Sequence, residues 1–135
     1  MQVAGKTILL TGGTDGIGRE LAEQLRAKGA QLIVSGRTPE RIAAAKAAGY
    51  EVIAADLSTA AGADIVLDAV KGRTIDILIN NAGLGSDHDF RVGAPDLDDN
   101  DRCIFANLNA PIHLIAGLMP LLKALPEAMI VNVLS

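Results

Sequence analysis

The sequence has very few aromatic residues and only one cysteine. It contains no tryptophan, one tyrosine, two phenylalanines and the single cysteine Cys103. One cysteine cannot form a disulfide within the chain, which is typical of a reducing compartment, and we expect a cytoplasmic protein. Because 50% of the 135 residues are hydrophobic, the core must be built mainly from Ala, Ile, Leu and Val. Aliphatic cores of this kind suit helices packed on a parallel sheet.

Positive charge is also scarce. The chain has 12 Lys and Arg against 16 Asp and Glu, a net charge of -4, and no basic stripe. This balance argues against a nucleic-acid partner. No apolar run approaches the ~18 residues of a membrane span. The N-terminus lacks the order of charge, apolar core and cleavage site that a signal peptide needs, so we expect no membrane insertion.

Short apolar segments alternate with helix-like segments along the whole chain. Each apolar segment is β-branched or Leu-rich and is bounded by Gly, Pro or charge, as buried parallel strands are. Gly residues end the first three helix-like segments, and Thr38 and Ser58 are predicted to cap the second and third helices. The predicted strands are 7–11, 31–35, 51–55, 75–79 and 128–133.

This alternation predicts an α/β protein with one domain over residues 1–135. Right-handed crossovers imply a Rossmann-type, doubly wound parallel sheet. The natural expectation for its strand order is 3-2-1-4-5, with the sheet truncated after the fifth strand. Ligands of such sheets bind beyond the carboxyl ends of the strands, next to the first strand. Functional residues are therefore expected at those ends.

A glycine-rich turn, T-G-G-T-D-G-I-G (Thr11–Gly18), follows the first predicted strand. Gly12, Gly16 and Gly18 allow a sharp turn, close approach to a pyrophosphate and the start of a helix whose N-terminal amides attract anions. A mononucleotide P-loop is excluded because Arg19 and Glu20 stand where Lys and a hydroxyl residue are required. The alternative interpretation is a tight turn without a ligand.

The same turn resembles that of the short-chain dehydrogenase/reductase family. Three further matches follow in the family's order: Asp56-Leu57, Asn80-Asn81-Ala82-Gly83 and Val131–Ser135. The segment NLNAPIHLIAGLMPLL (107–122) resembles the DltE-like branch of these reductases. The resemblance implies an NAD(P)-binding domain, the N-terminal half of a longer enzyme, whose cofactor-binding residues would be Gly12, Thr14, Asp15, Gly16, Ile17, Gly18, Arg37, Asp56, Leu57, Asn81, Ala82 and Gly83.

The cofactor preference is predicted from Ser35-Gly36-Arg37-Thr38, at the end of the second strand. No acid that could bind a ribose 2′-hydroxyl stands there, whereas the guanidinium of Arg37, with room left beside it by Gly36, suits the 2′-phosphate of NADP. Asp15 counts against NADP, because many NADP-dependent relatives carry a basic residue at its position. We expect NADP as the cofactor, with NAD less favoured, unless Arg37 is merely a solvated strand end. The resemblance implies that Asp56 binds the adenine amino group; otherwise it is a charge before the next helix.

The resemblance also assigns two catalytic residues. Asn107 matches the helical asparagine that holds a water in the family's proton relay, and Ser135 matches the serine that hydrogen-bonds the substrate oxygen. The family's Tyr-x-x-x-Lys pair is absent from these residues. The only tyrosine, Tyr50, is followed at the fourth position by Ala54 and is predicted to be structural. We expect the 135 residues alone to be inactive.

No metal site is predicted. The acidic run Asp96–Asp101 fails as a calcium loop because its sixth position is Asp101 instead of Gly and its twelfth is Asn107 instead of Glu. It is better interpreted as a helix N-terminus, where acidic charge is favourable. His88 and His113 are isolated from other metal ligands in sequence.

The sequence therefore predicts an NADP(H)-dependent oxidoreductase that moves hydride between nicotinamide and a small carbonyl or alcohol substrate. The alternative is a non-catalytic NAD(P)-binding sensor. The resemblance further implies a homo-oligomer that pairs through the helix spanning about 100–124. On that helix we expect an uncovered apolar face formed by Leu114, Ile115, Leu118 and Leu121.

Overall fold

A computed structural model describes residues 1–93 and 96–134. The chain forms a 3-10 turn at Phe90–Val92 and a π-helical turn at Phe105–Asn109. Strands and helices alternate as follows: β1 (Thr7–Leu10), α1 (Gly16–Ala27), β2 (Gln31–Gly36), α2 (Pro39–Ala47), β3 (Glu51–Ala54), α3 (Ala60–Val70), β4 (Ile77–Asn80), α4 (Leu97–Ile104), α5 (Ala110–Lys123) and β5 (Met129–Asn132).

The five strands form one parallel sheet with the order β3-β2-β1-β4-β5. In the register of the central strands, Leu9 lies opposite Ile33 of β2 and Leu78 of β4. The predicted Rossmann-type sheet and its strand order are confirmed. In this order the carboxyl ends of β1 and β4 are adjacent. The chain winds from β1 toward β3 and from β4 toward β5, so the direction of winding reverses between β1 and β4.

Both faces of the sheet are buried, which explains why the strands are continuous apolar runs. On one face Leu9 and Leu78 pack with Val66 of α3 and Leu114 of α5. On the other face alternate residues of the same strands, including Ile8, pack with the helix α1. The period of two along each strand therefore divides the core into two layers.

Thr38 lies at the N-cap position of α2 as predicted, but its side chain makes no capping hydrogen bond, and the cap of α3 differs from the prediction. Thr59, and not Ser58, caps α3, because its hydroxyl accepts a hydrogen bond from the Gly62 amide at 3.0 Å. The Ser58 hydroxyl instead donates to Asp56. Asp96 caps α4, because its Oδ1 accepts hydrogen bonds from the amides of Asp98 and Asp99, so the acidic run is a helix N-terminus as predicted.

The apolar face expected to be uncovered on α5 is instead packed. Leu114 is 0% and Leu118 1% exposed, and Ile115 and Leu121 lie partly buried against the same core. Gly117 allows α5 to approach α3, since a Cβ there would come within 2.6 Å of Leu67. The expectation was wrong because the sheet and α3 already cover this face. The exposed large apolar side chains from α4 to α5 are Leu97, Ile104, Leu108 and Ile112.

Among the described residues, one continuous helix, Leu97–Lys123, is long and apolar enough to cross a membrane by length and composition alone. A helix packed on a sheet passes the same test. Here α5 places Ala110, Leu114, Leu118 and Leu122 in the core, which accounts for part of its apolar composition.

Tyr50 lies in the core, next to the start of β3. Its side chain is 8% exposed, and the guanidinium carbon of Arg26 lies 4.1 Å from its ring centroid. Its hydroxyl has no hydrogen-bond partner among residues 1–93 and 96–134. Burial raises the pKa of this hydroxyl above its ordinary value, although the charge of Arg26 opposes the rise. These surroundings suit a structural residue.

We expect Tyr50→Phe to keep dinucleotide binding and to leave the free energy of unfolding unchanged or higher. Leaving a buried hydroxyl unsatisfied costs about 1–3 kcal/mol, and phenylalanine removes that group while keeping the ring. Urea unfolding and a binding titration check both parts. A marked loss of binding by a variant of unchanged stability would assign the hydroxyl a functional role.

Candidate functional site

A cleft of about 360 Å³ opens at the carboxyl ends of β1 to β4. Four segments that are far apart in sequence meet there because parallel strands end at the same edge of the sheet. The cleft is lined by Gly12, Thr14, Asp15, Ile17 and Gly18 after β1; Ser35, Gly36, Arg37, Thr38 and Arg41 around the end of β2; Ala55, Asp56, Leu57 and Ser58 after β3; and Asn81, Ala82, Gly83 and Leu84 after β4, with Ala106 added from the π-helical turn.

Nearly all of the residues predicted to bind a cofactor therefore lie in one place. Of that set, only Gly16 lies outside the lining, on the turn beside it. Asn107 lies behind Gly83, because a Cβ on Gly83 would come within 2.9 Å of the Asn107 Oδ1. Ser135 lies outside the described residues.

The glycine turn is shaped by close backbone contacts. Gly12 has a φ of 67°, in the left-handed region, and a Cβ there would lie 2.9 Å from the Cα of Ala82. A Cβ on Gly18 would overlap the carbonyl oxygen of Gly12. The absence of a Cβ at these two positions thus allows the start of α1 to pack closely against the turn and against the segment after β4.

Gly13 is a further required glycine, and it was not among the predicted site residues. A Cβ there would come within 2.6 Å of the Val34 Cγ1 on β2. The available signal was the Gly-Gly pair directly after a buried strand, which places the second glycine over the neighbouring strand. Gly13 is therefore a packing residue of the turn.

Thr11 and Asn81 connect the turn after β1 to the segment after β4. The Thr11 hydroxyl accepts hydrogen bonds from the amides of Asn81 and Ala82, each at 3.0 Å. The Asn81 side chain donates to the carbonyl oxygens of Thr11 and Gly12, at 3.1 and 3.3 Å. This network fixes the floor of the cleft, and Thr11 is a second residue that sequence reasoning missed.

The neighbouring asparagine, Asn80, has a different environment. Its side chain is 4% exposed and donates to the Asn132 Oδ1 at 2.9 Å. This bond joins β4 to β5 at the carboxyl edge. Asn80 faces the outer pair of strands, whereas Asn81 faces the cleft.

Arg37 lies exposed at the mouth of the cleft, directly after β2. Gly36 was expected to leave room beside it. That room is taken by Thr14, since a Cβ on Gly36 would overlap the Thr14 hydroxyl. Thr14 is thereby held 8% exposed in the wall of the cleft, while the guanidinium of Arg37 stays accessible.

Asp56 faces the cleft from the end of β3. Its Oδ1 accepts hydrogen bonds from the Ser58 hydroxyl at 2.7 Å and the Ser58 amide at 3.0 Å. Burial alone raises the pKa of this carboxyl, but the bonds from Ser58 and the charges of Arg37 and Arg102 outweigh it and leave the pKa below its ordinary value. Asp56 is therefore a carboxylate at neutral pH.

An ion pair closes the outer side of the cleft. The Arg41 Nη1 lies 2.7 Å from the Asp15 Oδ2, and the two side chains are 54% and 55% exposed. Arg41 was not among the predicted site residues. The only signal in the sequence was its position in the first turn of a helix that begins directly after the Arg37 strand end.

Asn107 lies in the π-helical turn between α4 and α5. Its Oδ1 accepts from the Leu84 amide at 2.9 Å, and its Nδ2 donates to the Leu84 carbonyl at 2.7 Å. The side chain thus holds the segment after β4 against the helix. Turns of this kind occur often at functional sites.

Within residues 1–93 and 96–134, no group of three His, Cys, Asp or Glu side chains lies close enough to hold a metal ion. His113 is paired with Asp64 alone, through its Nε2 at 3.0 Å.

Curated proteins similar to the chain are oxidoreductases by name. The chain is 35% identical over 139 residues to "Uncharacterized oxidoreductase DltE" of Bacillus subtilis, covering 100% of this chain and 55% of that protein. It is 35% identical over 146 residues to "Short chain dehydrogenase/reductase dpmpG" of Macrophomina phaseolina, covering 98% of this chain and 82% of that protein.

Solved structures with the same fold include the L-sorbose reductase of Gluconobacter frateurii complexed with NADPH and L-sorbose. That match has a TM-score of 0.82 and 29% identity, over 98% of this chain and 54% of the reductase. The chain spans about half the length of DltE and of this reductase. The statistical model of the short chain dehydrogenase family matches residues 6–135. The strand order of the sheet, the glycine turn and this match agree. The chain therefore belongs to the short-chain dehydrogenase family.

Proposed function

We propose that the protein is an NADP(H)-dependent oxidoreductase that transfers hydride between the nicotinamide and a small carbonyl or alcohol substrate. The single observation that carries this is the cleft, where the glycine turn, Arg37, Asp56 and Asn81–Gly83 meet at the switch point of the sheet. Ligands of doubly wound sheets bind at that point. In this proposal residues 1–135 form the nucleotide-binding half of a cytoplasmic enzyme.

The turn after β1 fits a pyrophosphate. The first turn of α1 carries no acidic side chain, so its free amides and positive dipole end favour an anion. A Cβ built on Gly16 meets no described atom within 4 Å, which leaves open space over the helix start. We assign Gly12, Gly16, Ile17 and Gly18 to the phosphates.

The residues at the end of β2 suit the 2′-phosphate of NADP, and those at the end of β3 suit its adenine. Arg37 offers an accessible guanidinium for the phosphate, and Thr14 lies beside it in the wall. Asp56, a carboxylate that accepts hydrogen bonds from Ser58, offers an acceptor for the adenine amino group, and Leu57 is buried next to it in sequence. The L-sorbose reductase of the same fold forms a complex with NADPH, which supports the same choice of cofactor.

When bound, the nicotinamide accepts or supplies the hydride. We place Ala82 and Gly83 beside it, and assign Ser135 to the hydrogen bond with the substrate oxygen. Asn107 would hold a water of the proton relay with the hydrogen-bonding capacity that remains after it binds Leu84, since an amide group has two acceptor sites and two donors. The proton donor would be the family's Tyr-x-x-x-Lys, which residues 1–135 do not contain.

We also propose a homo-oligomer that forms through the α4–α5 helix. The exposed Ile104, Leu108 and Ile112 follow one another at intervals of four residues, so they share one face of that helix. Analytical ultracentrifugation of the wild type and of Leu108→Asp tests this. A monomeric wild type would contradict the proposal.

The experiment for the proposed activity follows NADPH absorbance with a panel of aldehydes, ketones and quinones. We expect turnover from a protein that joins this segment to a Tyr-x-x-x-Lys segment, and a rate about 10²- to 10⁴-fold lower from residues 1–135 alone, because a positioned acid contributes that factor. Equal rates from both would show that another group supplies the proton.

Asp56→Ala is expected to weaken NADP and NAD binding by the same factor, about 10-fold or more. The reason is that a hydrogen bond to a charged group contributes about 1.5–3 kcal/mol, and both dinucleotides carry the same adenine. Isothermal titration calorimetry measures both affinities, and Asp68→Ala, an exposed carboxylate on α3, is the matched control. A loss confined to NADP would mean that Asp56 acts on Arg37 instead of on adenine.

A further inference from the structure

The ion pair between Asp15 and Arg41 joins the glycine turn to the first turn of α2. Both residues line the cleft, and Arg37 lines it from the end of β2, four residues before Arg41. Two guanidinium groups and one carboxylate therefore line the cleft where the proposed function puts a 2′-phosphate. Asp56 lines it from the end of β3.

An unpaired Asp15 would oppose that function. A carboxylate facing the 2′-phosphate would repel it, and the repulsion between like charges reduces affinity. Arg41 removes this conflict, because its Nη1 lies 2.7 Å from the Asp15 Oδ2. The guanidinium has five N–H donors, so the ion pair leaves donors free for another acceptor.

We propose that Arg41 is a second phosphate-binding residue and that Asp15 is the positioning residue that holds Arg41 at the cleft. The inference rests on the proposed function and names a specificity determinant of the same site. In it, Arg37 and Arg41 bind the 2′-phosphate together, and Asp15 holds one edge of the Arg41 guanidinium. Asp15, the one feature of the sequence that counts against NADP, thus becomes part of the NADP-binding site through its ion pair with Arg41.

The four variants of a double-mutant cycle test this: the wild type, Asp15→Ala, Arg41→Ala and the double variant. Calorimetry with NADP and NAD gives the affinities. We expect Arg41→Ala to weaken NADP about 10-fold or more and NAD less than about 2-fold, since one charge-assisted phosphate contact is lost and Asp15 becomes unpaired. The double variant should bind NADP more tightly than Arg41→Ala, because the repelling carboxylate is gone. A merely structural ion pair would not give this recovery.

Two further measurements make the cycle decisive. Half-exposed ion pairs contribute about 0–1 kcal/mol to stability, so every variant should keep its melting temperature within a few degrees. Arg41→Lys, which keeps the charge and loses the planar fork, should retain part of the NADP affinity. Equal weakening of NADP and NAD by Arg41→Ala, or no effect on either, overturns the inference.

The same measurements distinguish a failure of this inference from a failure of the proposed function. If Arg37→Ala selectively weakens NADP while Arg41→Ala does not, the inference is wrong and the proposed function stands. If the wild type itself does not prefer NADP over NAD, the proposed function fails on its cofactor, and the inference fails with it.

Discussion

Replacing Arg37 with Ala is expected to weaken NADP binding by about 10- to 100-fold and to leave NAD binding nearly unchanged. The factor corresponds to a charge-assisted phosphate contact of about 1.5–3 kcal/mol. NAD has no 2′-phosphate, so it does not make this contact and its affinity does not depend on it. Arg37 is exposed at the mouth of the cleft, and its removal should leave the fold intact.

The matched control is Lys46→Ala. Lys46 is an exposed cation in the last turn of α2, at the opposite end of that helix, so its loss changes the net charge equally without touching the cleft. Calorimetric titration of both variants separates a local contact from a general charge effect. Equal weakening of the two dinucleotides by Arg37→Ala, or a similar effect from Lys46→Ala, would contradict the assignment.

Gly18→Val is expected to abolish dinucleotide binding. A Cβ at Gly18 overlaps the carbonyl oxygen of Gly12 and comes within 2.5 Å of the Asn81 side-chain nitrogen, so the turn and the segment after β4 must separate. Both form the floor of the cleft. Overpacking of this kind costs about 1–3 kcal/mol, so a lower melting temperature should accompany the loss while the sheet remains folded.

Gly85→Val is the control for this substitution. A Cβ on Gly85 meets no described atom within 4 Å, so the same side chain is accommodated there. Circular dichroism of both variants checks the fold, and calorimetry with NADP checks binding. Unchanged affinity in a folded Gly18→Val variant would mean that the turn does not contact the dinucleotide.

The sheet could be predicted from the sequence because burial on both faces leaves a direct pattern. The runs at β1, β2 and β4 are apolar without alternation, and the helix-like segments between them require parallel crossovers. Right-handed crossovers then limit the possible topologies, and the order 3-2-1-4-5 is the natural expectation for a doubly wound sheet of this kind. The positions of the cleft residues follow from the same reasoning, since Gly12, Arg37, Asp56 and Asn81 each stand within two residues of the end of a strand.

Features that depend on how helices rotate against the sheet could not be predicted. Asp15 and Arg41 are far apart in sequence, and only the placement of α2 over the turn brings their side chains together. The exposed face of α5 was assigned wrongly for the same reason, because the spacing of Leu114 and Leu118 does not say which face meets the sheet. Thr59 rather than Ser58 caps α3 because Ser58 binds Asp56 instead.

The most direct test of the central claim is a crystal structure of the protein grown with NADP. We expect the dinucleotide in the cleft, with its pyrophosphate at the start of α1, its 2′-phosphate oxygens within hydrogen-bond distance of the Arg37 guanidinium and its adenine amino group at Asp56. NADP bound elsewhere, or bound in the cleft with its 2′-phosphate turned away from Arg37, would contradict the account.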